Sequence, residues 1–242
     1  MIILRREPVP RKKGYFKILV DPSDEERNES REYLQELFPG IFEGPIELLI
    51  SEEVLFRRSL LAGSQIDGRE LAELLAEDDL VKAKDIALRY LDYKMRTVRE
   101  MEQKLKESGF SAQVIDATIA SIQTYGFLDD PGYAKLYSKE RIRQRGSRII
   151  EQELAQKGID KEVAQELLSD MKDAEYEAAL LACRKKVQSF QNRGLEPQQI
   201  KDKVYRFLIS RGYEYDLIKR VYNVTLDQTN EEMNENDSFG LI

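Results

Sequence analysis

Leu105-Lys106-Glu107-Ser108-Gly109-Phe110 is the stretch of sequence that decides the fold. Its pattern, Leu-x-x-x-Gly followed by a large apolar residue, returns at residues 154–159 and 208–213. The copies lie 49 and 54 residues apart, and a repeat of this period is typical of proteins built from stacked helical units. We expect each glycine just past the end of a helix, where the left-handed conformation favours glycine. The sequence therefore predicts three copies of one helical unit.

The residues around the motif keep the same phase in every copy. Four positions before the leucines stand Met101, Ile150 and Val204, and five positions after the glycines stand Val114, Val163 and Leu217. Apolar residues at such spacings lie on one face of a helix. Short helices of this kind bury little surface alone, so we expect each unit to pack on its neighbour.

The first copy shows how one unit begins and ends its helices. Thr97-x-x-Glu100 is a capping box at a helix start, and Ser111 is a cap for the next helix. That next helix presents an apolar face formed by Val114, Ile115, Thr118, Ile119 and Ile122. Asp130-Pro131 then begins the first helix of the second copy, with Asp130 as its cap. Each unit is therefore predicted to contain three helices.

The first 66 residues differ from the repeats. Gly14–Val20 is β-branched and aromatic and predicts a strand, with Pro45–Ile50 as its partner; Asp24–Leu37 between them is predicted to be a helix or a disordered insert. Ser51-Glu52-Glu53 opens a helix that Gly63 is expected to close. Asp67 is expected to cap a short helix that contains Leu71, Leu74 and Leu75.

These patterns predict a mainly α fold: elongated tandem three-helix repeats in three copies, with a small N-terminal α+β segment that contains a β-hairpin. The predicted boundaries are 1–66 for the N-terminal segment, 67–130, 131–173 and 174–226 for the repeats, and 227–242 for a disordered acidic tail.

Composition indicates a cytoplasmic protein without a membrane span or a signal peptide. Apolar residues make up 41% of the chain and charged residues 34%, and the one cysteine excludes an intrachain disulfide. The net charge is −7, but residues 87–226 carry 25 Lys and Arg against 21 Asp and Glu. This mildly basic body, flanked by acidic segments, permits either a polyanion or an anionic protein groove as a partner.

The sequence offers little for catalysis or for a cofactor. It contains no histidine, which is the commonest general base and metal ligand. It also lacks the glycine-rich loops that bind nucleotide phosphates. Asp129-Asp130 and Asp78-Asp79 are interpreted as helix caps, and Cys183, within an Ala- and Leu-rich run, as a core residue. We therefore expect no enzyme activity, no metal site and no cofactor.

The residues that could bind a partner are basic. Arg141, Arg143, Arg145 and Arg148, together with Lys139, place five cations within ten residues against one acid. This run is either a solvated helix end, where cations complement the helix dipole, or a patch that binds phosphates or a partner's carboxylates. A second candidate is the run Arg184, Lys185 and Lys186, which is also explained by a simple exposed helix face. Most of the tyrosines Tyr90, Tyr93, Tyr125, Tyr133 and Tyr137 are expected in helix contacts rather than stacked on bases.

Taken in order, these residues resemble the RecX family of regulatory proteins. The resemblance begins at Ser51-Glu52-Glu53-Val54 and runs from about residue 46 to 226. It is carried by Ala87–Leu91, Arg96-Thr97-x-x-Glu100, Lys104–Phe110, Gly126-Phe127-Leu128-Asp129-Asp130, Tyr133, Tyr137, Arg141, Gly146, Ile150, Glu153-Leu154 and Lys157-Gly158-Ile159. The charged insert near 22–44 departs from the tighter hairpin that the family pattern leads one to expect.

The resemblance implies a function that the residues alone do not name. RecX proteins bind the groove of the RecA–DNA filament and restrain RecA ATPase, recombinase and coprotease activity, which places them in DNA repair, recombination and the SOS response. By this resemblance we expect a monomer whose partner is the RecA filament, with single- or double-stranded DNA as a further partner. The alternative is a direct DNA-binding protein that uses its three-helix units in the manner of helix-turn-helix domains, which would make binding steeply salt-dependent.

Overall fold

The computed structural model describes residues 1–10, 12–21 and 45–239, with side chains up to residue 228. The chain divides into two compact units, one made of Met1–Met95 and Met101–Leu128, the other of Arg96–Glu100 and the chain from Asp129 onward. Within the described ranges, no helix combines the length and apolar character needed to cross a membrane. The predicted helix or disordered insert at 24–37 lies outside the described residues.

The first unit begins with a three-stranded antiparallel sheet. Its strands are β1 (Ile2–Pro8), β2 (Tyr15–Asp21) and β3 (Ile46–Ser51), in the order β1-β2-β3. The predicted pairing of β2 with β3 is confirmed, with Ile18 opposite Leu48. Strand β1 was not predicted, because charged residues interrupt its apolar pattern and Ile3 is the one fully buried position along it. Such charges are common on edge strands, where they discourage pairing with another chain.

Two helices complete the core beneath this sheet: α1 (Glu52–Arg57) and α2 (Gly68–Leu91). Asp67 caps α2 as predicted, since its carboxylate accepts from the Glu70 amide at 2.7 Å in a complete capping box. Helix α1 ends at Arg57 rather than at Gly63, and the predicted short helix is the first part of the 24-residue α2. The apolar residues that fill this core are Ile3, Ile18, Val20, Ile50, Leu55, Leu71 and Leu74.

Asp78 is not a helix cap. It lies in the middle of α2, is fully buried and accepts a hydrogen bond from the Ser51 amide at 2.6 Å. Its second carboxylate oxygen lies 2.5 Å from the Lys82 ammonium, which compensates the buried charge. The residue therefore fixes the end of β3 on α2.

The prediction of three copies of a three-helix unit is confirmed. Helix α2 is followed by α3 (Val98–Glu107) and α4 (Ala112–Thr124). The second copy consists of α5 (Asp130–Arg141), α6 (Ser147–Gln156) and α7 (Lys161–Ser169). The third consists of α8 (Lys172–Gln191), α9 (Pro197–Ser210) and α10 (Tyr215–Phe239).

The Leu-x-x-x-Gly motif ends the second helix of every copy in the same way. Gly109, Gly158 and Gly212 have φ angles of +89°, +88° and +89°. In each turn the amide after the glycine donates to the carbonyl of the motif's leucine, the pattern of a Schellman cap. The three leucines, Leu105, Leu154 and Leu208, are completely buried. The structural interpretation of the motif is therefore confirmed.

Two positions differ from their predicted roles. Asp129, not Asp130, is the N-cap of α5, accepting from the Gly132 amide at 2.9 Å. Val163 is 39% exposed, while Ala164 beside it is buried at 1%. The buried face of α7 therefore runs through Ala164 and Leu168, one residue later than predicted.

The end of the chain also differs from the prediction. Residues 227–239, predicted to belong to a disordered tail, continue helix α10 to Phe239. Extending a helix costs far less than starting one, so a polar segment can follow when a packed helix precedes it. Tyr222 and Val221 provide that packed part, with 4% and 0% exposure.

Within the second unit, the start of the second helix of one copy contacts the turn that ends the second helix of the next copy. The Thr97 hydroxyl, at the N-cap of α3, donates to the Lys157 carbonyl at 2.7 Å. One copy later, the amide of Gly146, at the N-cap of α6, donates to the Arg211 carbonyl at 2.9 Å. Lys157 and Arg211 are the residues just before the motif glycines. We call these two contacts the first and second junction.

A carboxylate from the first helix of the later copy strengthens each junction. Asp130 of α5 accepts from the Val98 amide at 2.9 Å. Glu175 of α8 accepts from the Ser147 amide at 2.6 Å and from its hydroxyl at 2.5 Å. Val98 and Ser147 are the first residues of α3 and α6, whose amides have no partner within their own helix. The second and third copies therefore each cap a helix of the copy before them.

Candidate interaction surface

The first basic run lies at the end of α5 and in the loop that leads into α6. Helix α5 ends at Arg141, and Gly146 is the N-cap of α6, so Arg143 and Arg145 lie in the loop between them. The second junction holds this loop, because the Arg211 guanidinium also donates to the Gln144 carbonyl at 3.3 Å. The basic loop is thus attached to the third copy at both its centre and its end.

Arg141 has a structural role. Its Nε lies 3.2 Å from the Glu153 carboxylate and 3.2 Å from the Tyr137 hydroxyl, and that hydroxyl donates to Glu153 at 2.8 Å. The hydrogen bond to Tyr137 raises the pKa of Arg141 above its ordinary value. The interpretation as a helix-end cation therefore fits Arg141, whose charge also lies in the last turn of α5.

Arg143 and Arg148 are different, since both side chains are exposed. Among the residues that the structure describes, neither forms an ion pair. Arg148 is the second residue of α6, where a cation faces the positive end of the helix dipole and is disfavoured by about 0.3–1 kcal/mol. Arg145 is half-buried in the same loop. The helix-end interpretation therefore does not explain Arg148.

The second basic run divides in the same way. Lys186 is half-buried, with its ammonium 4.7 Å from the centre of the Phe207 ring, a contact that contributes to packing within the third copy. Arg184 and Lys185 are exposed on α8, and Arg184 donates to the Gln228 side chain. Of this run, Arg184 and Lys185 remain accessible to a partner.

The structure brings residues of both basic runs together. Arg143 and Lys139 line one side of a groove of about 890 Å³, and Arg184 of α8 lines another part of it. Three acidic residues, Asp170, Asp173 and Glu177, line the same groove and were not singled out from the sequence. The signal that could have found it is a second apolar stripe on α8, formed by Ala174, Ala178 and Leu181, beside the stripe that contains the buried Cys183.

The remaining candidates are settled by burial. Cys183 is completely buried, and burial raises the pKa of its thiol, which disfavours the reactive thiolate. Tyr133 and Tyr137 stack at 5.9 Å between ring centres, and Tyr90 is half-buried, as expected for helix contacts. Tyr93 and Tyr125 depart from that expectation, with 91% and 74% exposure.

Comparison with known proteins recovers the same three units. Residues 83–121, 129–168 and 173–222 match the first, second and third three-helix domains of RecX. The regulatory protein RecX of Clostridium botulinum (strain Alaska E43 / Type E3) is 33% identical over 173 residues, which cover 71% of this chain and 82% of that protein. The chain belongs to the RecX family. The resemblance drawn from the sequence is thereby confirmed.

Other RecX proteins extend the comparison. The regulatory protein RecX of Clostridium beijerinckii is 32% identical over 190 residues, covering 76% of this chain and 89% of that protein. A RecX crystal structure matches with a TM-score of 0.64 at 23% identity, covering 92% of this chain and 98% of that one. The RecX structure from Lactobacillus salivarius matches with a TM-score of 0.58 at 24% identity, covering 62% and 97%. These structures support the fold, and the relatives' names suggest a regulatory protein rather than an enzyme.

Proposed function

We propose that this RecX protein binds the groove of the RecA–DNA filament and inhibits RecA ATPase, recombinase and coprotease activity. Membership in a family of regulatory proteins supports the regulatory role. The resemblance described above supplies RecA as the partner. Inhibition would follow from occupying the groove, which blocks duplex entry or the rearrangement of RecA protomers, and needs no chemistry from this chain.

The observation that carries the proposal is the exposed position of Arg148. Its charge is unfavourable where it stands in α6, and the rest of the described structure offers it no acidic partner. A residue that the fold does not need, next to the exposed Arg143, is suited to bidentate contacts with a partner's carboxylates or phosphates. The second junction bonds the backbone at Gln144 and Gly146, between these two arginines, so this part of the backbone is ordered before binding and less entropy is lost on association.

The test is the rate of RecA ATP hydrolysis on single-stranded DNA at increasing amounts of this protein. We expect the rate to fall at or below stoichiometric amounts, and the double variant Arg143→Ala/Arg148→Ala to inhibit at least tenfold less well. Arg69→Ala is the matched control, because Arg69 is also the second residue of its helix but lies 3.2 Å from Glu73. An unchanged rate with the wild-type protein would refute the proposal.

Direct DNA binding is the competing function, and two observations weigh against it. The amide of Ser147 at the start of α6 is already bonded to the Glu175 carboxylate, so the first donor of this helix end is occupied, and the negative charge of Glu175 opposes a phosphate there. The excess of cations over acids in residues 87–226 is only four. Tight binding to naked DNA at physiological salt, without RecA, would reverse the order of the two hypotheses.

A further inference from the structure

The groove between the end of α5 and α8 has an apolar floor. Ile142 and Leu180 lie deep in it, with 4% and 7% exposure. Its α8 side is formed by Ala174, Ala178 and Leu181, which are spaced four and three residues apart. The groove volume of about 890 Å³ is at the upper end of the range for ligand sites in proteins.

This stripe is a second apolar face on a helix that already has one. Helix α8 packs into its own copy through Ala179, Cys183 and Val187, which are all at most 2% exposed. Leu181, on the second stripe, is 54% exposed. Apolar residues at spacings of four and three are the positions through which one helix packs against another. The two alanines allow a close approach, since interaxial distances of 8–10 Å depend on the side chains at the contact.

The rim of the groove is charged, and its positive and negative side chains lie on different sides. Lys139 and Arg143 lie on the α5 side, while Asp173 and Glu177 lie on α8. Among the residues that the structure describes, none of these four side chains takes part in an ion pair. With Arg184 and Asp170 included, the rim carries three cations and three acids. Three carboxylates repel a phosphate backbone, whereas a protein segment with both charges can satisfy both sides.

We propose that this groove binds an amphipathic α-helix of a protein partner. The apolar ridge of that helix packs on Ala174, Ala178 and Leu181. Its acidic edge faces Lys139 and Arg143, and its basic edge faces Asp173 and Glu177. This is the helix-in-groove mode of recognition, in which anchors at helical spacing supply affinity and flanking charges select the partner. The inference rests on the proposed function, because the RecA filament is the partner on which it is tested.

The first test fills the groove. Ala174→Trp adds a large side chain at an exposed position of α8, so the fold should tolerate it while the entering helix cannot. Ala117→Trp, at an exposed position of α4, is the matched control, and circular dichroism verifies that both variants fold. We expect Ala174→Trp to inhibit RecA ATP hydrolysis at least tenfold less well than the wild type or the control. Equal inhibition by both variants would overturn the groove inference and leave the proposed function standing, whereas a wild-type protein without effect on RecA would overturn both.

The second test distinguishes a helix from a nucleic acid as the occupant of the groove, because one change of charge should weaken the binding of a helix and strengthen the binding of a nucleic acid. The double variant Asp173→Lys/Glu177→Lys makes the rim entirely basic apart from Asp170. A partner helix with a basic edge should bind it at least tenfold more weakly, while a phosphate backbone should bind it more tightly. Affinity for RecA–DNA filaments and for the same DNA without RecA is measured side by side. Binding to DNA alone measures the general effect of the added positive charge. Binding of the variant to RecA–DNA filaments as tightly as the wild type, or more tightly, would overturn the inference.

The third test identifies the occupant directly. Cys183 is completely buried, so Asp170→Cys introduces the one accessible thiol at the exposed rim of the groove, clear of the apolar stripe on α8, and a photoreactive benzophenone can be attached to it. After irradiation with RecA filaments, we expect cross-links to residues three or four apart in a helical segment of RecA. Cross-links to DNA alone, or to none of the components, would overturn the proposal.

Discussion

The turn at Gly109 and the turn at Gly212 have the same backbone but different surroundings. Both glycines have a φ of +89° and close the same Schellman cap. A Cβ built on Gly109 would meet no atom of the described residues within 4 Å. A Cβ on Gly212 would lie 2.7 Å from Ile149 Cγ1 and 2.9 Å from the Ile149 backbone nitrogen. Gly158 is similar to Gly212, with Arg99 Cβ at 2.7 Å.

The difference shows that one sequence motif serves two purposes. In the first copy the glycine satisfies a local requirement of the helix end. In the second and third copies the glycine also allows the turn to approach the second helix of the copy before. The turn meets that helix at its start, where the junction hydrogen bonds form. The approach is mutual at the second junction, because a Cβ on Gly146 would lie 2.3 Å from the Gly212 carbonyl oxygen.

The largest effect is expected from Gly212→Ala. The left-handed backbone costs an alanine about 1–2 kcal/mol, and the clash with Ile149 adds roughly 1–3 kcal/mol. Gly109→Ala should lose only the stability that corresponds to the backbone cost, because an added Cβ at this position meets no described atom. Urea denaturation followed by circular dichroism measures both free energies of unfolding. Equal losses in the two variants would mean that the second junction does not constrain the turn.

Glu175→Ala should have the next largest effect. It leaves the Ser147 amide and hydroxyl without their acceptor in a site where Glu175 is 7% exposed, at a cost of about 2 kcal/mol. Asp130→Ala, the equivalent change at the first junction, should cost less, because burial together with Asp129 raises the pKa of Asp130 and opposes its charged form. Urea denaturation compares the two, and hydrogen exchange at the Ser147 amide should quicken in Glu175→Ala alone. A larger loss in Asp130→Ala would reverse the ranking of the junctions.

Acid should remove the stabilisation that the Glu100 carboxylate gives to the first junction. Burial raises the pKa of Glu100, but hydrogen bonds from the Lys157 ammonium and the Thr97 amide outweigh it, so the net pKa is lowered. The ion pair therefore stabilises the fold above the ordinary pKa of about 4.3, and the contribution disappears as pH falls below that value. The Glu100–Lys157 ion pair contributes less than about 1 kcal/mol of stability at pH 7, because both side chains are partly exposed.

The measurement is the melting temperature of wild type and Glu100→Gln at pH 7 and pH 3. The difference in melting temperature between wild type and Glu100→Gln should be smaller at pH 3 than at pH 7, because Glu100 loses its charge in acid. Ile149 occupies the position in α6 that Glu100 has in α3, so the second junction has no such titration at that position. A gap that persists at pH 3 would assign the effect to packing rather than to the charge.

The smallest effect on stability is expected at Arg148. Arg99 and Arg148 are both the second residue of a second helix, but Arg99 packs on Gly158 and donates to the Ala155 carbonyl at 3.4 Å. Arg99→Ala should lower the melting temperature, while Arg148→Ala should leave it unchanged or raise it by the equivalent of a few tenths of a kcal/mol. Differential scanning calorimetry distinguishes the two. A clear loss of stability in Arg148→Ala would give that side chain a structural role.

Much of the fold could be predicted because its signals are local. The cap at Asp67, the capping box at Thr97 and the glycine turns depend on residues within one helical turn of each other. Two of the errors have local causes too: charges conceal β1, and the double aspartate at 129–130 leaves the cap position ambiguous by one residue. Asp78 was misread because its partner, Ser51, is far away in sequence.

The candidate surface was predicted less completely. The sequence pointed to basic residues, but it could not separate Arg141, which Glu153 holds, from Arg148, which none of the described acids pairs with. It also gave no sign that Arg143 and Arg184 share a groove with three acids, because the groove forms only where the end of α5 comes near α8 in the folded second unit.

By itself, the sequence determined the helical repeat, its three copies and the left-handed turns, since these follow from backbone geometry and apolar periodicity. Only the tertiary structure decided which glycines also serve the junctions, which arginines remain exposed and where acids balance them. The junction contacts join residues 28 to 67 positions apart, such as Ser147 with Glu175 and Gln144 with Arg211. Such pairs meet only after the copies have packed.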